Sequence, residues 1–218
     1  PHDPFLLGDM AVAVERIRAA VAAGERICVH GDYDVDGISA TAVAVLVLRE
    51  LDANVEWRLP SRFEEGYGLA AETIERLAED GVDLVLTVDC GITAVDEVRR
   101  AQELGLDVIV TDHHRPGETL PDCPVVATRP SAYPCVDLCG TGVVYTLARA
   151  LLGGDHPAVA RLLDLVALAT IADVVPLVDE NRALAAAGLR SLARTSRPGL
   201  QALMRSARVD PAIVDSTA

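Results

Sequence analysis

The stretch "ICVHGDYDVDGISATAVAVL", residues 27–46, decides the fold class. It opens with a short apolar run at 27–29, passes through a polar turn carrying Asp32, Asp34, Asp36 and Gly37, and resumes as apolar residues at helical spacing. Strand, turn and helix in that order make the first half of a βαβ unit. A calcium loop of the EF-hand type starting at Asp32 would place its obligatory glutamate where Val43 stands, and would follow a helix rather than "RICVHG". By itself the Asp-rich turn reads equally well as a solvated acidic turn, because Asp and Gly are ordinary turn formers.

The same rhythm continues outward. Short apolar runs at 55–59, 84–88, 108–110 and 125–127 read as buried strands, with helical patterns at 38–51, 70–79 and 94–104 between them, the last with Thr93 placed to cap it. Before this block, Met10, Val14, Ile17 and Val21 recur at helical spacing up to Gly24. Alternating strands and helices predict a doubly wound α/β fold: a parallel sheet of about five strands with helices on both faces. From Gly140 the strands stop, and 141–152, 157–172, 181–193 and a segment from Pro198 read as helices. The expected organisation is a helical lead-in over 1–25, an α/β core over 26–139 and a helical part over 140–218, joined by the Pro- and Cys-rich span 122–140.

Three polar clusters fall at strand ends: "HGDYDVDG" after the first strand, "DCG" after the third, "DHH" after the fourth. In an open parallel sheet the carboxyl ends of the strands lie along one edge, where such folds bind ligands. Taken singly, Asp89 is an ordinary turn residue and the pair His113–His114 an ordinary hydrogen-bonding feature. Brought together, Asp34, Asp36, Asp89 and Asp112 repel one another unless a cation sits among them. Carboxylate and imidazole donors without thiolates suit Mn²⁺ or Mg²⁺, and a bridging carboxylate can hold two ions. The helix after the first cluster adds its positive end, with Ser39 and backbone amides available to a phosphate oxygen.

Composition narrows the alternatives. The chain has 218 residues, half of them apolar, and a net charge of −14; all 19 basic residues are arginine. A broadly basic nucleic-acid surface is excluded, whereas a cation site with a few Arg forks is not. The longest apolar run, 42–48, is too short to cross a bilayer, and no secretory signal opens the chain. Five cysteines without a CxxC pair read as buried thiols, and Cys135 and Cys139 lack further ligands at zinc spacing. A cytoplasmic location is expected. A generic dinucleotide binder is excluded by the absence of G-x-G-x-x-G after the first strand. The chain starts at Pro1 and stops within "VDPAIVDSTA", so a piece of a longer protein is expected.

In order and spacing, "HGDYDVDG", "DCG", "TDHH" and "ATIADVVPL" resemble the four motifs of the DHH phosphoesterase superfamily. "LPSRFEEGYGL", "GTGVVYTLARAL" and "LDLVALATIADVVPLVDENRALAAAGL" are similar to its RecJ branch, the single-strand-specific 5′ exonucleases. The resemblance implies that Asp36, Asp89, His113 and Asp173 bind one Mn²⁺, with Asp34, Asp89 and His30 serving a second and Mg²⁺ as an alternative. It implies that His114 acts at the scissile phosphate and that Asp112 orients His113. Arg62 and Arg115, with Arg58 and Arg129 behind them, are candidate phosphate contacts. Periodicity has no power to single out Asp173, which by pattern is a polar residue closing an apolar helix. The implied activity is metal-dependent hydrolysis of single-stranded DNA from its 5′ end, releasing 5′-mononucleotides in DNA repair and recombination. Single-strand-binding protein and a helicase are the implied partners. The rival readings are a phosphodiesterase for short oligonucleotides or cyclic dinucleotides, and a non-catalytic replication module of the same fold. Complete RecJ-like enzymes add a DHHA1 domain and an oligonucleotide-binding domain, and no counterpart of either is legible here.

Overall fold

The computed structural model describes residues 1–61 and 68–214. Five strands, β1 (Arg26–His30), β2 (Asn54–Arg58), β3 (Leu84–Val88), β4 (Asp107–Asp112) and β5 (Val125–Ala127), form one parallel sheet in the order β2-β1-β3-β4-β5. The direction of strand addition reverses between β1 and β3. That reversal opens a crevice at their carboxyl ends.

Alternation along each strand sends side chains to two different cores. On one face Ile27, Val29, Leu84, Leu86, Ile109 and Val126 pack with the main cluster. On the other, Cys28, Val85, Val108 and Val110 pack against α3 (Ala71–Glu79) and α4 (Val95–Glu103) through Ile74, Leu77 and Val98. Each fully buried aliphatic side chain contributes roughly 1.5–3 kcal/mol. Both faces are therefore anchored.

The main cluster is roofed by α1 (Met10–Ala23), α2 (Val35–Glu50), α5 (Gly140–Leu152), α7 (Leu163–Ala172) and α8 (Asp179–Leu192), with α6 (Pro157–Ala160) and α9 (Pro198–Ala207) at its margin. In α1, Met10, Ala13, Val14, Ile17 and Ala20 are buried, one stripe at helical spacing, and the left-handed Gly24 (φ 70°) ends the helix by donating to Ala20 and Val21 carbonyls. Helix α5 is buried nearly all round, because it lies between the sheet, α2 and α7. Its core threonine is satisfied internally: Thr146 donates to Gly142 O at 2.9 Å, as Thr41 does to Gly37 O (2.8 Å) in α2.

The structure moves several expected boundaries. Helix α2 starts at Val35, three residues before the periodic run, because the Asp34 carboxylate caps it by accepting Gly37 N–H at 2.9 Å. Thr93 does not cap α4; Ala94 stands at that position. The helix expected over 157–172 is broken into α6 and α7 by a turn at Arg161 and Leu162. Strand β2 is an edge strand rather than a buried one, with Trp57 half exposed and Arg49 5.4 Å over its ring. Among the described residues no helix is long and apolar enough to cross a membrane.

Candidate metal centre

Strands β1, β3 and β4 each leave the sheet through an acidic residue, and these exits converge. After β3 the chain turns at Asp89 in a left-handed conformation (φ 61°), which Asp tolerates better than most residues at a cost of roughly 1 kcal/mol. Asp89 N–H still pairs with Thr111 O across the sheet (3.0 Å), so the unusual backbone is locked and the carboxylate is aimed inward. Asp89 is buried, and its Oδ1 has no hydrogen-bond partner among the described residues. His113 Nε2 approaches that oxygen to 3.2 Å, near enough for an ion pair but not aligned as a hydrogen bond.

Asp36 reaches the same point from the first turn of α2. Its two oxygens accept the N–H groups of Gly140 (2.6 Å) and Thr141 (2.8 Å), the first residues of α5, while Thr141 Oγ1 donates to Asp36 O (2.9 Å). Two helix amino ends thus meet at one carboxylate. Gly140 is obligatory there: a Cβ at this position would lie 2.6 Å from both Cβ and Cγ of Asp89. Asp173, the residue that closes α7, brings its Oδ2 to 3.9 Å from His113 Nε2, and Asp36 Oδ2 lies 3.7 Å from the same nitrogen.

The donor atoms form three overlapping groups, each with all atoms within 4.8 Å of one another: Asp36, His113 and Asp173; Asp89, His113 and His114; Asp32, Asp34 and Asp89. Asp89 therefore links the His113 side of the cluster to the Asp32–Asp34 side. Asp32 is the addition that the sequence did not single out. It is buried, and its Oδ1 accepts Tyr33 N–H at 2.7 Å. His30 does not join these groups: alternation puts it on the face of Cys28, and its Nε2 lies 3.3 Å from Gly68 O.

Crowded charge leaves its mark on the ionisable groups. Burial, aided by the Asp36 charge and opposed by His113, pushes the Asp89 carboxyl up to about 7. Burial and Asp36 likewise raise Asp173. For His113 burial acts to lower the pKa, but the close contact and charge of Asp89, with Asp36 and Asp173 behind it, raise it to about 9. Protons here supply positive charge that the crowded carboxylates call for. A hard divalent cation fits this donor set, which offers carboxylate and imidazole but no thiolate, and it would satisfy the orphaned Asp89 oxygen.

Asp112 serves a different ring from the one expected. Its Oδ1 accepts Nδ1–H of His114 (2.7 Å) and the backbone N–H groups of His113 (2.7 Å) and His114 (3.1 Å), while Oδ2 accepts Ile92 N–H (3.0 Å). The His113 ring is turned to the carboxylates instead, with Nε2 3.2 Å from Asp89 Oδ1. Burial alone would raise Asp112, but the hydrogen bond and charge of His114 hold it below the usual carboxylate range. His114 is raised in turn, chiefly by that same hydrogen bond.

The remaining candidates scatter. Ser39 is buried in α2 and offers almost no surface to a ligand. Arg58 is tied to Asp80 at 2.6 Å. Arg62 lies outside the described residues. Arg115 is exposed beside His114 and lines an open groove of about 780 Å³ with Pro116, Leu120, Arg129, Pro130 and Asp137; Arg129 is held by Asp137 at 2.7 Å. A second cavity of about 560 Å³, with Leu46, Glu50, Asp164 and Arg194 in its wall, lies at the other end of α2 from the carboxylates.

Comparison with known proteins agrees with this geometry. Residues 26–170 match the family model described as "DHH family, N-terminal domain". The chain is 47% identical over 207 residues to the single-stranded-DNA-specific exonuclease RecJ of Bacillus subtilis (strain 168), covering 94% of this chain and 26% of that protein. To the RecJ of Escherichia coli (strain K12) it is 42% identical over 221 residues, covering 94% and 38%. It thus spans between a quarter and two fifths of the length of these relatives. Among solved structures, that of exonuclease RecJ bound to manganese superposes with a TM-score of 0.89 at 39% identity, covering 100% of this chain and 56% of that one. RecJ in complex with Mn²⁺ from Thermus thermophilus gives 0.80 at 39% identity, covering 92% and 29%. Sheet order, the meeting of Asp36, Asp89, His113 and Asp173, and the matched family model lead to one assignment: this chain belongs to the DHH family.

Proposed function

We propose that this chain carries the metal-dependent phosphodiesterase centre of a RecJ-like exonuclease, which hydrolyses single-stranded DNA from its 5′ end and releases 5′-mononucleotides in repair and recombination. The observation that carries this reading is the buried Asp89 carboxylate, without a hydrogen bond at Oδ1 and flanked on both sides by donor groups. On this reading Asp36, Asp89, His113 and Asp173 hold one Mn²⁺, and Asp32, Asp34 and Asp89 hold a second, with Asp89 shared; Mg²⁺ suits the same oxygens. Ions bound there supply Lewis acidity at the scissile phosphate and make water more acidic.

The chain's own residues orient and protonate. Asp112 fixes the His114 ring through Nδ1, which leaves Nε2 as the atom for proton exchange, and the raised His114 pKa favours its cationic form beside a phosphate. Arg115, exposed next in sequence to His114, lines the groove and is the proposed backbone-phosphate contact. The five cysteines are free thiols, in keeping with work in the reducing cytoplasm. Single-strand-binding protein and a helicase would deliver the single strand.

The test incubates the chain with 5′-labelled single-stranded DNA, duplex DNA and a dinucleotide, in Mn²⁺ or chelator, beside Asp89→Ala. Mn²⁺-dependent degradation of the single strand alone, lost in the variant, is expected. Turnover of the dinucleotide only would point to a short-oligonucleotide phosphodiesterase, binding without turnover to a replication module, and activity in chelator would end the metal mechanism.

A further inference from the structure

Asn181 lies in the first turn of α8. It is buried, with 1% of its surface exposed. Its Nδ2 donates two hydrogen bonds, to Asp137 O at 2.6 Å and to Pro176 O at 3.1 Å. Both partners are carbonyls, so the amide can be oriented only with its NH₂ toward them.

The two carbonyls belong to segments that end in the centre. Asp137 is three residues before Gly140, whose N–H holds Asp36 and where any Cβ would collide with Asp89. Pro176 follows Asp173 by three residues, across Val174 in a left-handed conformation (φ 57°). The neighbouring Glu180 reinforces one side, accepting the Tyr133 hydroxyl at 2.6 Å from the same segment that leads into α5.

One amide group thus spans the entry to α5 and the exit from α7. The other polar atom of that side chain, Oδ1, is buried without a partner among the described residues. Both N–H groups of the amide are committed to segments that end at the centre.

We infer that Asn181 is a positioning residue for the metal centre: by donating to Asp137 O and Pro176 O it sets the separation between Asp173 and the α5 amides that hold Asp36. The inference rests on the metal-centre reading. Groups that hydrogen-bond a metal ligand typically change metal affinity 10–100-fold, and Asn181, acting through the backbone one step further out, is assigned the lower end of that range.

The experiment compares Asn181→Asp, which keeps the shape but cannot donate, with Leu184→Ala, a buried core change on the same helix. Mn²⁺ affinity is measured by calorimetry well below each melting temperature, and amide exchange is followed in the metal-free chain. Asn181→Asp is expected to weaken Mn²⁺ binding at least tenfold and to speed exchange at Gly140 and Thr141; Leu184→Ala is expected to lower the melting temperature with affinity held within about twofold. Equal affinity in Asn181→Asp and wild type, or the same loss in Leu184→Ala, overturns the role given to Asn181 while leaving the metal centre intact. No Mn²⁺ binding by wild type overturns the centre and this role with it.

Discussion

Asp89 concentrates the chemistry at the scale of one residue: a buried carboxylate on a left-handed backbone, raised to about 7 by burial and by Asp36. Its folded pKa lies above the ordinary 3.8, so the destabilisation it imposes is absent in acid, grows as pH rises through that interval, and is complete above about 7. Asp89→Asn, which also tolerates positive φ, is therefore expected to stabilise the metal-free chain by about 2 kcal/mol at pH 8 and hardly at all at pH 4. Thermal melts at the two pH values decide it; equal effects at both would mean that the carboxylate is not strained by its surroundings. The sequence carried Asp34, Asp36, Asp89 and the histidines as strand-end clusters. It was silent on Asp173, which only resemblance supplied, since an acid closing an apolar helix has no periodic signature. Asp32 went unassigned because three alternate aspartates in a turn look alike until the fold buries Asp32 and Asp36 and leaves Asp34 exposed.

Elements were legible where packing is periodic and illegible where it is capped. All five strands and the amphipathic α1 follow from spacing, whereas the start of α2 was missed because Asp34 and Gly37 make the cap rather than the apolar stripe. The turn that separates α6 from α7 has no Gly or Pro to announce it. At this scale α5 is the element on which the site depends, since its first amides bind Asp36 and its first Cα abuts Asp89. Gly140→Ala is expected to cost roughly 1–3 kcal/mol through overpacking and to abolish high-affinity Mn²⁺ binding. Gly199→Ala, in the first turn of α9 with open space around it, should be neutral or stabilise by about 0.4–1 kcal/mol. Urea melts and Mn²⁺ titration of the pair separate a site-specific collision from a general loss of glycine.

At the scale of the whole molecule, a chain of net charge −14 gathers acids at one edge of its sheet and relies on cations to make that edge usable. Without metal, protons fill the role: Asp89 is raised from 3.8 to about 7 and His113 from 6.5 to about 9. Both folded values exceed the unfolded ones, so the stability these protons give is present in acid and is lost as pH climbs through about 4–9. A bound ion must displace them. The stabilisation on adding Mn²⁺ is expected to grow between pH 6 and 9, approaching about 2.7 kcal/mol at a hundredfold excess over Kd. A gain independent of pH, measured by scanning calorimetry, would locate the ion somewhere other than Asp89 and His113.

The grip of α2 and α5 on Asp36 bears on how such a protein handles its ions. The carboxylate is seated by the peptide N–H groups of Gly140 and Thr141 at the start of α5, contacts that need no ion to form. Loading then resembles filling a finished socket rather than nucleating a loop, and an ion can depart without dragging the surrounding helices out of place.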